Sequence, residues 1–279
     1  MLPNITAYLK QRLAAHYDGG ELDGVVRALC EDMLGLSRVQ ALMTPADMLG
    51  DEARRRLDIA VHRLADGEPV QYVTGTAVFM GIRLAVTPDT LIPRPETSGL
   101  VDLVCRWAGD GPRTAIDLCT GSGCVAIALA LAHRDWDITA MDVSAGAVAV
   151  ARANAEACQV AVRCEVADLM SAEYPEGGFD IVTCNPPYVL QSERAAMDDR
   201  VLLYEPPGAL FVTDEDPLVF YRTAAAKARR WLKRGGMICF EINRAFACEV
   251  SQLLKSSGYG NVVAEKDYVG NYRFVKGEA

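Results

Sequence analysis

The sequence predicts an α/β fold: a Rossmann-like, mostly parallel sheet with a small helical domain before it and a linking β-hairpin. Three observations predict this. An apolar run, Thr114–Leu118, meets Thr120-Gly121-Ser122-Gly123 and then an alanine-rich run over residues 125–132. That reads as strand, tight turn and helix. A second apolar run over residues 138–141 ends on Asp142, about 20 residues past the glycines, the spacing of a nucleoside-binding βαβ unit. From residue 99 onward, strand and helix patterns alternate.

The elements follow in order. Residues 5–15 form one candidate helix, and Gly19-Gly20 breaks it. Leu22, Val25, Val26, Leu29, Cys30 and Met33 recur at helical spacing and predict a second helix ending near Gly35. Thr44-Pro45-Ala46-Asp47 reads as a turn, and residues 51–64 as a helix with Leu57, Ala60, Val61 and Leu64 on its apolar face. Residues 1–66 therefore predict a helical domain. The pattern changes at Gly67. Residues 73–77, 78–80 and 82–86 are short and β-like, with Gly75 or Gly81 at bends, which predicts a hairpin. Two prolines in Leu91-Ile92-Pro93-Arg94-Pro95-Glu96-Thr97 make a stiff loop that aims one cation; a solvated linker arginine fits the same pattern. Residues 67–98 thus form a linker.

Residues 99–279 form the main domain. Helices are predicted over 100–108, 125–132, 145–157, 220–232 and 250–257. Strands are predicted over 114–118, 138–141, 162–166, 179–183 and 237–242, with Gly235-Gly236 ending the preceding helix. Residues 262–265 and 273–276 close the chain as antiparallel strands.

Ligands of open α/β sheets bind at the carboxyl ends of the strands. There the glycine turn lets backbone N–H groups approach a ligand, although a purely structural turn has the same composition. Asp142 is placed to accept hydrogen bonds from ribose hydroxyls; alternatively Asp142 or Ser144 caps the next helix. Loop plus acid is compatible with NAD, FAD or S-adenosylmethionine. A third piece narrows the choice. The strand ending at Thr183 and Cys184 runs into Asn185-Pro186-Pro187-Tyr188. The prolines stiffen the backbone. A planar –NH2 group can donate one hydrogen to the Asn185 side-chain oxygen and one to the Pro186 carbonyl, and can stack on Tyr188. Held so, its nitrogen lies in line with a sulfonium methyl, and no His or Cys nucleophile is required. An incidental rigid turn is the plainer alternative.

Composition limits the rest. The chain has 279 residues, 51% of them hydrophobic, which is enough for one full domain and a small second one. Its net charge of −9 argues against a nucleic-acid substrate, which calls for a basic footprint. Nine scattered cysteines without CxxC spacing, and three isolated histidines, predict reduced thiols, no metal site and a cytoplasmic protein. The N-terminus shows no signal peptide, and the longest apolar run is too short to span a bilayer.

The combination of LIPRPET, DLCTGSG, MDVS, NPPY, YEPPGAL and KDYVGNYR resembles the release-factor glutamine N5-methyltransferases over nearly the whole chain. The resemblance implies a class I methyltransferase fold with S-adenosyl-L-methionine as cofactor and S-adenosyl-L-homocysteine as product. It implies a protein substrate: the Gln of the GGQ motif in a class I peptide chain release factor. The helical N-terminal domain is then expected to help recognise that substrate. Cys119, Thr120, Gly121, Ser122, Gly123, Asp142, Val143, Asp168, Leu169 and Asn185 are the expected cofactor-binding residues, with Asp168 on the adenine amino group unless it only caps a turn. Asn185, Pro186, Pro187 and Tyr188 are the expected catalytic and substrate-binding residues, and Arg94 borders the pocket to orient substrate or brace its loop. The sequence departs from the family at Cys119, where a glycine is usual, at Ser98-Gly99, at Val212-Thr213-Asp214 and over residues 243–246. These departures bear on the substrate. They leave room for a relative that methylates a small molecule's amide or guanidinium.

Overall fold

The computed structural model describes residues 3–279. The chain forms two compact units. One runs to Thr76 and includes Asp198–Tyr204; the other comprises Ala77–Met197 and Glu205–Ala279.

The first unit is helical. Asn4 caps α1 (Ile5–Leu13) by accepting from the Ala7 N–H. Gly19 is the first residue of α2 (Gly19–Ala28), so the glycine pair opens this helix and does not merely separate two helices. A π turn (Leu29–Met33) extends α2. Ser37 and Gln40 form a capping box on α3 (Arg38–Met43). The expected turn after Thr44 is a 3-10 turn, Ala46–Met48. The predicted face of α4 (Asp51–Ala65) is buried, with Leu57, Ala60, Val61 and Leu64 all in the core. Residues 70–74, partly read as β, are instead the helix α5 (Val70–Thr74). Its β-branched residues suit a strand. Pro69 before its first residue and left-handed Gly75 after its last punctuate a single helical turn too short to display a period.

β1 (Thr76–Phe79) and β2 (Ile82–Ala85) form a two-stranded sheet. Met80 and Gly81, both at positive φ, make the two-residue turn that right-twisted strands favour. Asn154, buried in α8 (Ala145–Ala157), fastens this hairpin: its side chain bonds Ala85 N and O at 2.7 and 2.9 Å and the Ser122 carbonyl at 2.9 Å.

The main sheet contains β3 (Thr114–Leu118), β4 (Asp137–Asp142), β5 (Val162–Val166), β6 (Phe179–Cys184), β9 (Leu232–Glu241), β10 (Gly260–Lys266) and β11 (Tyr272–Glu278). Its order is β10-β11-β9-β6-β3-β4-β5. The five strands from β9 to β5 are parallel, and β10 and β11 close the sheet antiparallel. The central strands β3 and β6 are mostly apolar and buried because both faces of the sheet are covered, whereas edge strand β5 alternates polar and apolar residues. One face packs α6 (Ser98–Ala108) and α7 (Cys124–Ala132); the other packs α11 (Val219–Trp231) and α12 (Ala247–Ser256). Shorter elements complete this part: β7 (Val189–Leu190) pairs with β8 (Phe211–Val212), α9 (Asp199–Tyr204) belongs to the helical unit, and α10 (Pro207–Leu210) precedes β8.

Gly235-Gly236 lies inside β9 and not at a helix end. The ladder with β6 shifts register there, and a Cβ on Gly236 would meet the Asp180 carbonyl at 2.8 Å. The pair is a bulge that only glycine accommodates. No helix among the described residues is long and apolar enough to cross a membrane.

Candidate active site

The chain leaves β3 for β4 and β5 on one side, then returns to β6 on the other. This reversal opens a crevice at the carboxyl ends of β3, β4, β5 and β6. A cavity of about 280 Å³ occupies it. Cys119–Ser122 follow β3, Asp142 and Val143 end β4, Asp168 and Leu169 follow β5, and Asn185 and Pro187 follow β6. Residues 88–97, 206–209 and Phe220 supply further walls.

The half beside β3 and β4 is built largely from backbone. Cys119, Gly121 and Gly123 all have positive φ, at 57°, 55° and 81°. For Cys119 this left-handed conformation is strained, because its Cβ crowds the following carbonyl. The Thr120 N–H donates to the Met141 carbonyl at 3.0 Å, and the Gly121 N–H to Asp142 Oδ2 at 2.9 Å. The Ser144 N–H donates to Asp142 Oδ1 at 3.0 Å. Asp142 therefore pins the loop while keeping spare lone pairs. Ser144, not Asp142, caps α8, through the Ala147 N–H. Asp168 Oδ1 accepts from the Met170 N–H at 2.9 Å, the turn-capping bond that its position allowed, and Asp168 also borders the cavity. The Ser122 hydroxyl is buried without a hydrogen-bond partner among the described residues.

Beneath the loop lies Asp117, which is fully buried and also borders the cavity. Thr120 Oγ1 donates to Oδ2 at 2.6 Å, and Thr183 Oγ1 to Oδ1 at 2.7 Å. Burial pushes the Asp117 carboxyl up to about 6, against the pull of these two hydroxyls.

The half beside β6 is built from side chains. Asn185 is half-buried at the cavity wall, and its carboxamide makes no hydrogen bond among the described residues. Pro186 and Pro187 are buried behind it. Tyr188 donates to Glu241 Oε1 at 3.1 Å, and Asn243 Nδ2 donates to the Tyr188 carbonyl at 3.2 Å. Burial raises both Tyr188 and Glu241 above their ordinary values. Arg94 pairs with buried Glu205, which also accepts from the Ile92 N–H at 3.2 Å. The LIPRPET loop is thus braced by the YEPPGAL segment.

Most of the residues singled out in the sequence meet in this cavity. Cys119, Thr120, Gly121, Ser122, Asp142, Val143, Asp168, Leu169, Asn185, Pro187 and Arg94 line it. Gly123, Pro186 and Tyr188 do not. A Cβ on Gly123 would meet Ala151 and Ile127 at 3.1 Å, so this glycine lets α7 and α8 pack closely. Asp117, Phe220, Asp89 and Glu205 were missed. Asp117 had a legible signal, a lone acid in an apolar strand; the others become neighbours only through tertiary folding.

The cavity fits S-adenosylmethionine. Carboxylates stand at two strand ends, Ser122 offers an orphan hydroxyl, and Val125, Leu169 and Phe220 give apolar wall for a nucleoside. Comparison with known proteins agrees. Residues 103–213 match the methyltransferase small domain, and residues 4–75 match the PrmC N-terminal domain. A release factor glutamine methyltransferase from Bacteroides thetaiotaomicron is 39% identical over 97% of this chain and 98% of its own length. Another from Flavobacterium psychrophilum is 33% identical over 99% and 98%. Among solved structures, a methyltransferase from Pyrococcus furiosus shares the fold at a TM-score of 0.52 and 17% identity, covering 81% of this chain and 98% of that one. The identity with the first two spans both compact units, so the chain belongs to the release factor glutamine methyltransferase family and is an S-adenosylmethionine-dependent methyltransferase.

Proposed function

We propose that this protein methylates the side-chain amide nitrogen of the glutamine in the GGQ motif of a peptide chain release factor. One observation carries the reading: the Asn185 carboxamide borders the cavity with no hydrogen-bond partner among the described residues, on a segment stiffened by two prolines. A glutamine amide has two N–H donors to place. In this reading Asn185 Oδ1 accepts one; the Pro186 carbonyl and the Tyr188 ring, which the free protein keeps out of the cavity wall, accept the other and stack on the planar group once substrate is bound. An amide nitrogen is a poor nucleophile because its lone pair is delocalised into the carbonyl. Two fixed acceptors favour the positive charge that builds on it in the transition state. Holding the nitrogen in a reactive pose contributes roughly 7–11 kcal/mol when alignment is good.

The bound cofactor supplies a methyl carbon activated by a sulfonium. In this reading Asp142 holds its ribose hydroxyls and Asp168 its adenine amino group. Val143 and Leu169 cover the base, and the loop from Cys119 to Gly123 faces the methionine portion, with Gly123 setting the loop against α8. Arg94, committed to Glu205, braces the pocket wall. The matched relatives are named for release factors, and the net charge of −9 suits a partner with a basic surface. Residues 1–66 serve to recognise that partner, 67–98 link, and 99–279 catalyse; translation factors place the reaction in the cytoplasm.

The test is incubation with labelled methyl donor and a GGQ-bearing release factor, the same factor with Gln replaced, or a panel of free amino acids. Mass spectrometry should find one methyl group, on the GGQ glutamine alone. Label on a free amino acid, with none on the factor, overturns the proposal.

A further inference from the structure

Asn185-Pro186-Pro187-Tyr188 poses a mechanical problem. Its two prolines carry no N–H, so the stretch forfeits two of the main-chain donors that ordinarily tie a loop to its surroundings. One end is secure: Cys184 sits in the sheet, paired with Leu118 and Phe240. The other end is Tyr188, and it is gripped by side chains from the exit of β9. Glu241 Oε1 accepts from the Tyr188 hydroxyl at 3.1 Å. Asn243 Nδ2 donates to the Tyr188 carbonyl at 3.2 Å and to Glu193 Oε2 at 2.9 Å. Glu193 Oε2 in turn accepts from the Leu190 N–H at 2.8 Å. The second Asn243 function is also used: its Oδ1 accepts from the Ala245 N–H at 3.1 Å.

Both struts are unusual for a purely structural part. Glu241 is only 1% exposed, and its Oε2 has no hydrogen-bond partner among the described residues. Thr97 lies close enough to favour the ionised carboxyl, but outside hydrogen-bond geometry. Arg273 is nearby, yet its Nε bonds Asp267 at 3.3 Å. A buried carboxyl that is half unsatisfied disfavours folding, and among the described residues the hydrogen bond that the Glu241 carboxyl makes is to Tyr188. Asn243 is buried as well, and a glycine in its place could grip neither the Tyr188 carbonyl nor Glu193.

We infer that Glu241 and Asn243 are positioning residues of the methyl-transfer site, fixing Tyr188 by its hydroxyl and its carbonyl and so setting the pose of the amide clamp. This inference rests on the reading that Asn185–Tyr188 binds the substrate amide. The predicted consequence is a loss in kcat with little change in cofactor affinity, because the struts touch the clamp and not the nucleoside half.

The experiment is a double-mutant cycle on the full chain with a GGQ-bearing release factor. Tyr188→Phe and Glu241→Ala should each lower kcat at least about tenfold, the effect of losing one hydrogen bond to a charged group, with cofactor KM within about twofold. Combined, they should be no more than about twofold worse than the weaker single variant. Glu241→Gln, which keeps an acceptor for Tyr188, should recover most of the loss. Asn243→Gly should lower kcat while the melting temperature stays within a few degrees, and it carries the test should Glu241→Ala not fold. Asn185→Ala runs alongside. Wild-type kcat in Asn243→Gly and Glu241→Ala, with Asn185→Ala inactive, overturns the inference alone. Fully additive losses in the cycle overturn the Tyr188 route for Glu241. An active Asn185→Ala overturns the amide-site reading beneath it.

Discussion

The two halves of the cavity are held by different means. Beside β3 and β4 the backbone does the work: three residues at positive φ, the Thr120 and Gly121 N–H groups donating to the Met141 carbonyl and to Asp142, and a capped helix. Beside β6 two prolines remove donors, and side chains substitute, with Glu241 and Asn243 on Tyr188 and Glu205 on Arg94. A loop held by backbone tolerates changes of side chain unless they alter φ or remove Asp142. A clamp held by side chains depends on a few atoms, so single substitutions there should act on turnover.

The largest expected effect sharpens this contrast. Asn185→Ala should reduce turnover by roughly 10³-fold, the scale of one preorganised group aimed at developing charge. Calorimetric cofactor affinity should stay within about threefold; a parallel fall in both would erase the division between the halves.

Asp117→Asn tests the foundation of the backbone-built half. Burial pushes the folded Asp117 carboxyl up to about 6, above its unfolded value, so the native state holds the proton more tightly. The contribution of Asp117 is then fully present below about pH 4 and is lost as pH rises through about 6, by about 2–3 kcal/mol. Asn does not ionise. Urea unfolding should show the variant gaining by that amount relative to the parent between pH 4 and 7, and a pH-independent difference counts against the assignment.

Asp142→Ala should weaken cofactor binding about 10- to 100-fold, since it removes two acceptor oxygens and frees the Gly121 N–H. Titration giving the parent's affinity removes Asp142 from the ribose site. The smallest effect belongs to Cys119→Gly. Relieving a side chain held at φ 57° should stabilise the fold by about 1 kcal/mol, or a few degrees of melting temperature, without changing cofactor affinity. A lower melting temperature means that Cys119 gains more from packing than it loses in strain.

Much of this was legible in the chain. The parallel strands appear at or near their predicted positions because runs buried on both faces are mostly apolar, as in Ala115, Ile116 and Leu118 of β3. The strand-end acids and Asn185 were visible because each sits at a change of pattern. The errors share a cause. Val73 and Thr74 have the composition of a strand, but proline and glycine boundaries fold them as one helical turn. Gly235-Gly236 looks like a helix stop, yet close approach to the Asp180 carbonyl makes it a bulge. Gly123 shares the loop with the cavity residues, and only the packing of α7 on α8 separates its task from theirs.

By itself the sequence determined the sheet, the glycine loop and its acid, and the proline-stiffened asparagine, because periodicity and turn chemistry are local. Tertiary structure alone decided that Glu205 braces Arg94, that Thr183 holds Asp117 under the loop, and that Glu241 and Asn243 hold Tyr188. Partners more than 50 residues apart leave no periodic trace, since burial and hydrogen bonding between them exist only once the strands stand side by side.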